Sequence, residues 1–165
     1  MARIVILGCA GSGKSRVARR IGARDGVPVI SLDEIWQPGW GSDRTPAFRE
    51  MLTRLHTGDA WVSDGNFAAV SFDIRLPRAT LVVWLERPRR LCAWRAVRRA
   101  LGGDRVHRLG KLPEVLRYIR NFDRINRPLI EALRIKHGPD VPLVRLRTEA
   151  DVESFVSNLS SRAGR

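Results

Sequence analysis

The chain has little cysteine, histidine, tyrosine or lysine: two Cys, three His, one Tyr, and three Lys among thirty basic residues. Cys9 and Cys92 allow one pairing, so no disulfide framework is on offer. His56, His107 and His137 are far apart and share no ligand spacing with either cysteine, which argues against a zinc site. No apolar run approaches the roughly eighteen residues of a membrane span. Ile4–Leu7 is too short for the apolar core of a signal peptide and is followed at once by Gly8, so the expected compartment is a reducing cytoplasm. Internal repeats and low-complexity tracts are absent as well.

What is present is an ordinary globular composition, 44% apolar and 28% charged over 165 residues, with a strong excess of arginine. The net charge is +13, and the stretch from Arg87 to Arg127 alone carries +10. Such a balance predicts polyanionic partners, whether nucleotide phosphates, nucleic acid or acidic lipid, without choosing among them.

Hydrophobic patterning divides the chain into alternating elements. Ile4–Leu7 reads as a strand buried on both faces. Lys14 to about Arg24 reads as a helix closed by Asp25-Gly26, and Val29–Leu32 as a second strand. Residues 36–43 have no period and read as a loop. Thr45-Pro46 starts a helix through Phe48, Met51, Leu52 and Leu55. Trp61–Asp64 and Thr80–Leu85 are strands. A helix follows from Pro88 to about Leu101, then a long one from Leu112 to Leu133 that Pro128 kinks or divides. Val141–Leu146 is the last strand, and Thr148 caps a final helix. The order β-α-β-α-β-β-α-α-β-α predicts an α/β fold, a parallel sheet with helices on both faces.

Between the first strand and the first helix stands Gly8-Cys9-Ala10-Gly11-Ser12-Gly13-Lys14-Ser15, which fits G-x-x-x-x-G-K-[ST] in the structural context that motif requires. Its fixed positions match by chance in well under ~1% of chains this long. The chemistry explains the residues. A triphosphate is held by several backbone N–H groups at once, which Gly8, Gly11, Ser12 and Gly13 leave unobstructed, and the helix start adds positive potential. Lys14 reaches β- and γ-phosphates, and Ser15 ligates Mg²⁺. The expected cofactors are ATP or another nucleoside triphosphate, and Mg²⁺.

Other candidates carry two readings each. Asp33, at the end of the second strand, either holds a substrate hydroxyl or a Mg²⁺-bound water, or caps a turn. Asp64, ending the third strand, is either a second acidic partner of the metal or a turn residue before Gly65. Arg95, Arg98, Arg99 and Arg105 either clamp the transferring phosphoryl and stack on the base, or form a solvated face. Trp61, Trp84 and Trp94 are expected in the core. Trp36 and Trp40 either line a substrate pocket or pack a loop. Cys9 is expected to be there for its size.

This order of motifs resembles the adenylate-kinase-like P-loop proteins known as topology modulation proteins, in the broad group of nucleoside monophosphate, shikimate and gluconate kinases. The resemblance rests on the phosphate loop and on Leu32-Asp33 followed by Trp36-Gln37-Pro38-Gly39-Trp40. Trp61-Val62-Ser63-Asp64-Gly65-Asn66, Asp73-Ile74-Arg75, Leu85-Glu86-Arg87-Pro88 and the arginine-rich helix follow in order. It covers almost the whole chain and implies a single domain over 1–165. The implied fold is a three-layer sandwich with five parallel strands, a substrate-binding insert at about 34–58, and a short helical lid at about 101–111. It implies an acceptor site near Asp33, Trp40, Asp64, Asn66 and Arg75, catalysis by Lys14, Asp33, Arg99 and Arg105, nucleotide contacts from the loop and Arg95, and metal contacts from Ser15 and Asp64. One departure stands out. In adenylate kinases a Pro-Arg follows the Asp-Gly closely, whereas here Asn66-Phe67 follows and the nearest arginine is Arg75. The lid carries no cysteine pairs, which excludes a zinc-bearing lid.

Three readings follow. One is a kinase moving the ATP γ-phosphate to a small-molecule acceptor. A second is a nucleic-acid-associated protein binding weakly and non-specifically through the basic segment. A third is a nucleotide-binding regulator without turnover. No membrane partner is expected, and the chain is expected to be a monomer or a homodimer.

Overall fold

The computed structural model describes residues 2–36, 45–102 and 109–163. Five strands, β1 (Arg3–Gly8), β2 (Val29–Ser31), β3 (Trp61–Asp64), β4 (Leu81–Leu85) and β5 (Leu143–Leu146), form one sheet in the order β2-β3-β1-β4-β5. Every pairing is parallel. Among the described residues eight α-helices accompany them: α1 (Lys14–Asp25), α2 (Leu32–Ile35), α3 (Thr45–Leu55), α4 (Ala68–Arg75), α5 (Arg89–Leu101), α6 (Leu112–Asn121), α7 (Arg127–His137) and α8 (Glu149–Ala163).

The central strand shows why this sequence makes a sandwich. Successive side chains of a strand point to opposite faces, so an unbroken apolar run buries both. Ile4 and Ile6 join Val17, Ala18 and Ile21 of α1 and Val152 and Val156 of α8 on one face. Val5 and Leu7 join Phe48 and Leu52 of α3, Phe72 of α4, Cys92 and Ala96 of α5, and Phe122 on the other. Val82 and Trp84 against Val83 and Leu85 repeat the alternation in β4.

Three sequence expectations change. The first is the direct β3-to-β4 step, which is interrupted by α4, because two parallel strands need a crossover connection between them. The second is the long helix from Leu112 to Leu133. It is two helices joined by a π-helical segment, Phe122–Asn126, and Pro128 sits in the first turn of α7, where its missing N–H costs nothing. Third, Trp61 and Trp84 are core residues, but Trp94 is 55% exposed, with the Arg98 guanidinium 5.3 Å above its ring. At the start of α8, Thr148 caps as expected: its hydroxyl accepts from Asp151 N at 3.0 Å, while Asp151 accepts from Thr148 N at 2.8 Å.

Candidate nucleotide and acceptor site

Ligands in parallel sheets bind beyond the carboxyl ends of the strands, where neighbouring connections diverge to opposite sides. Here that point is the end of β1, flanked by β3 and β4. The loop after β1 turns through Gly11 at φ 78° and Gly13 at φ 101°, left-handed values that glycine adopts without strain. Space matters as much as torsion, since a Cβ on Gly11 would come within 2.3 Å of the Cys92 carbonyl oxygen.

Gly13 is the N-cap of α1. No side chain caps the helix, and no acidic residue lies in its first turn. Its leading N–H groups therefore keep the orphan character of a helix start, with nothing negative to compete for them. Lys14 Nζ donates to Cys9 O at 3.1 Å, folded onto the loop it would leave to meet a phosphate. Arg95 Nη1 donates to Ser12 O at 3.3 Å, which brings α5 over the loop, and Arg99 Nε donates to Arg95 O at 3.4 Å. Ser12 Oγ is buried without a hydrogen-bond partner.

Asp64 ends β3, 2% exposed. Burial raises its pKa, while Lys14, the Ser15 hydroxyl and Arg75 pull it down and Asp33 pushes it up. The structure thus places Asp64, Ser15, Lys14 and Asp33 within electrostatic reach of one another. Asp64 Oδ1 is buried and has no partner. An orphaned carboxylate oxygen beside a hydroxyl is a donor set suited to a hard, oxygen-loving cation, so Ser15 and Asp64 fit Mg²⁺. Asp33 is not at a strand end. β2 stops at Ser31, which is the N-cap of α2, and Asp33 is an exposed residue of that short helix's first turn. The turn-capping alternative for Asp33 therefore falls to Ser31's position.

Asn66 acts as a strand partner made from a side chain. Its Oδ1 accepts from Gly8 N at 3.1 Å, and its Nδ2 donates to Gly8 O at 2.9 Å and to Tyr118 Oη at 2.9 Å. It therefore fixes the first residue of the phosphate loop. Arg75, expected on the acceptor side, is fully buried beneath that segment. The reason is its place at the end of α4. Its Nη1 donates to Ser63 Oγ at 3.1 Å and Gly65 O at 3.0 Å, and its Nη2 to Asn66 O at 2.5 Å. Burial lowers its pKa to about 9, opposed by Asp64, so it keeps its charge at neutral pH. His56 completes the corner, with Nδ1 2.7 Å from Leu52 O and Nε2 3.0 Å from Ser63 Oγ. Burial takes its pKa down to about 4.

Phe67, between Asn66 and α4, holds a left-handed backbone at φ 39°, which costs a non-glycine residue about 1 kcal/mol or more. Its ring lies 5.4 Å from Phe48 and 6.0 Å from Trp36, and Trp36 meets Phe48 edge-on at 5.1 Å. Trp36 is thus part of a packed aromatic corner. Trp40 and Arg105, with most of the lid expected over 101–111, lie outside the described residues.

Tyr118 and His56 were not singled out from the sequence. A signal existed for Tyr118: its spacing puts it with Val115 and Ile119 of α6 and with Phe122 just beyond, all packed in the core, and a phenol in that position needs a partner. Its pKa is raised to about 12 by burial.

No family model matches the chain, and no curated protein matches it. Solved structures do resemble it. Shikimate kinase from Bacteroides thetaiotaomicron aligns at a TM-score of 0.62 and 18% identity, over 99% of this chain and 99% of that one. Shikimate kinase from Acinetobacter baumannii in complex with shikimate aligns at 0.60 and 18%, over 100% of this chain and 96% of that one. An uncharacterized protein from Eubacterium ventriosum ATCC 27560 aligns at 0.58 and 14%, over the full length of both. The chain therefore has the α/β fold of the shikimate-kinase-like P-loop proteins, while the likeness to topology modulation proteins rests on the sequence motifs.

Proposed function

We propose that the chain is a Mg-ATP-dependent phosphotransferase acting on a hydroxyl-bearing small molecule. One observation carries the reading. The uncapped start of α1 and the unpartnered Asp64 Oδ1 meet Lys14, which is folded onto Cys9 O, and Ser15, which acts on Asp64, beside the end of the central strand. The loop N–H groups and Lys14 hold the β- and γ-phosphates, and Arg95 covers them from α5. Ser15 and Asp64 hold Mg²⁺, which neutralises charge developing between the phosphates when bound. Asp33 faces the acceptor and accepts or orients its hydroxyl proton. Arg99, and Arg105 from the lid, neutralise the phosphoryl in transfer. Asn66 and Arg75 shape the site from below. Positioning and charge do most of the work, because a loose transition state asks little of a base.

The test is a screen of hydroxyl acceptors with γ-labelled ATP and a no-acceptor control, run on the wild type and on Asp33→Asn. Transfer to one acceptor, weakened several-fold in Asp33→Asn with nucleotide binding intact, is the expected result. ATP binding without transfer to any acceptor leaves the regulator reading in its place.

The basic segment keeps the nucleic-acid reading as the alternative. Within that segment, however, Arg95 turns to the phosphate loop and Arg87, Arg89 and Arg127 are tied to Glu149, Asp123 and Glu86. Binding to a random duplex is expected to be weak, indifferent to sequence and lost steeply with salt. Tight, sequence-selective binding near physiological salt reverses the ranking. The proposed setting is a reducing cytoplasm. Among the described residues no helix is long and apolar enough to cross a membrane.

A further inference from the structure

Cys9 is the second residue of the phosphate loop, and Cys92 lies near the start of α5. Both are free and buried, 4% and 0% exposed, and neither has a part in the proposed transfer. Both belong to the same core cluster, and their side chains are close enough to act on each other electrostatically. The backbone on each side of this contact is fixed. Cys92 N donates to Pro88 O at 3.1 Å, its thiol donates to Arg87 O at 3.9 Å, and its carbonyl presses on Gly11. Across the contact, the Cys9 carbonyl accepts from Ser12 N at 3.1 Å and from Lys14 Nζ at 3.1 Å. The two cysteines are therefore held as neighbours by fixed parts of the backbone, Cys9 inside the phosphate loop and Cys92 on the helix whose backbone packs against Gly11 of that loop.

Chemistry and access both favour reaction. The neighbouring Cys92 sulfur and burial push the Cys9 thiol up. The Cys9 side chain, with Lys14, Arg95 and Arg87 nearby, pulls the Cys92 thiol down against its burial. A thiol among cationic groups is the kind that oxidants attack. Cys9 also lines a cavity of about 440 Å³ between the end of β4, the start of α5 and the π-helical segment, with Trp84, Pro88 and Phe122 among its walls. That opening admits a small oxidant to Cys9, beside the fully buried Cys92.

We propose that Cys9 and Cys92 are a modification site, closed to an intramolecular disulfide by hydrogen peroxide or a similarly small hydroperoxide, and that the closed form takes nucleotide poorly. One sulfur attacks the O–O bond and becomes a sulfenic acid as the distal oxygen leaves as water. The second sulfur then displaces the sulfenic oxygen, also as water. Two thiols are oxidised, one peroxide is reduced, and both thiol protons leave in the two waters. An S–S bond of about 2.05 Å is far shorter than a contact between unbonded sulfurs, so closure draws Cys9 toward α5. The Cys9 carbonyl moves with it, and that carbonyl sets Ser12 N and Lys14 Nζ. Only this consequence rests on the nucleotide-binding reading; formation of the bond does not.

The experiment exposes the full-length reduced protein to graded hydrogen peroxide. It is then alkylated with N-ethylmaleimide under denaturing conditions and its intact mass is measured. The expected product is monomeric, has lost two hydrogens, carries no alkyl group, and returns to two alkylated cysteines after dithiothreitol. In parallel, affinity for a fluorescent non-hydrolysable Mg-ATP analogue falls by about tenfold or more and recovers on reduction. Cys92→Ser, which keeps the size of the side chain, loses no hydrogens and forms no intramolecular bond. Two alkylatable cysteines after peroxide, oxygen addition without hydrogen loss, or a disulfide between two chains overturns the site. A closed form that binds the analogue as well as the reduced form overturns the consequence. A reduced protein that does not bind the analogue overturns the nucleotide reading and leaves the mass result standing.

Discussion

Two regions meet at the end of the sheet and treat their polar groups in opposite ways. Where β1 runs into α1, polar groups are left unspent: an uncapped helix start, Ser12 Oγ, and Asp64 Oδ1 just across on β3. At the corner between β3 and α4, the side-chain polar groups are tied into one network, although Arg75 Nε and Trp61 Nε1 are left without a partner. Arg75 makes three hydrogen bonds, Ser63 Oγ joins it to His56, and the Asn66 carboxamide makes three more. Leaving a buried polar group unpaired costs about 1–3 kcal/mol, which folding tolerates where a ligand repays it. On the proposed reading, the first region binds and the second holds the first in shape. Substitutions in the two should separate cleanly, activity without stability on one side and stability before activity on the other.

The sharpest separation is expected at Lys14. Lys14→Ala removes the charge on the β- and γ-phosphates and should lower phosphoryl transfer by about 10²–10³-fold. Among the described residues its ammonium donates one hydrogen bond, to Cys9 O, so stability should stay within about 0.5 kcal/mol of wild type. Transfer and Mg-ATP binding equal to wild type would dissolve the distinction between the two regions.

Arg75→Gln is the converse. It strips donors from Ser63 Oγ, Gly65 O and Asn66 O inside a fully buried site, and should cost about 3 kcal/mol of stability. Urea unfolding with an unchanged slope measures it. Whatever variant remains folded should still bind Mg-ATP within a few-fold, because Arg75 lies beneath the site and not in it.

The contrast between the regions also explains what the sequence could show. The phosphate loop was legible because its chemistry is local: eight consecutive residues between a strand and a helix specify backbone direction, helix start and charge together. The alternating strands were legible for the same reason, each face of β1 being written in neighbouring residues. The corner is not local. The resemblance puts Arg75 at the acceptor, and nothing nearby in sequence says that its guanidinium turns back ten residues to Gly65. α4 escaped notice because its N-cap is Phe67, whose side chain cannot cap, and only the rule that parallel strands need a crossover betrays it. Trp94 was misplaced because helical spacing does not tell an exposed stripe from a buried one when arginines flank both. Cys9 was legible by position but not by partner, since Cys92 is brought to it only by α5 crossing the loop.

Asn66 belongs to both regions and should show a mixed effect. Asn66→Ala leaves Gly8 N and O without their side-chain partner and frees the Tyr118 hydroxyl, at a cost of about 2 kcal/mol. Because Gly8 opens the phosphate loop, Mg-ATP affinity should fall several-fold as well. Asn66→Asp keeps the acceptor for Gly8 N but loses the donor to Gly8 O, so it should rescue only part of either loss. Unfolding and nucleotide titration on the same samples decide it. A stability loss with affinity untouched would make Asn66 a member of the corner alone.

The smallest effect is one of pH, and it isolates His56 from its neighbours. In the unfolded chain His56 titrates near the ordinary 6.5, and in the fold at about 4, because burial disfavours the imidazolium and Arg75 and Arg78 repel it. Between those two values the unfolded chain binds a proton that the folded chain does not. Stability therefore falls as pH is lowered through that window, is intact above about 6.5, and falls no further from this group below about 4. The cost between pH 7 and pH 5.5 is about 1 kcal/mol. Asp64 works in the opposite sense, since its raised pKa favours the fold as pH drops. Glu86, Asp73, Asp151 and Glu153 have lowered values and lose their contributions only in the carboxylate range, below this window. Urea midpoints at pH 7.0 and 5.5 for wild type and His56→Gln resolve the term. The glutamine amide can still meet Leu52 O and Ser63 Oγ but cannot titrate, so its midpoint should be lower than wild type at both pH values and nearly flat between them. A variant as pH-sensitive as the wild type would move the titration elsewhere and leave His56 as a packing residue of the corner.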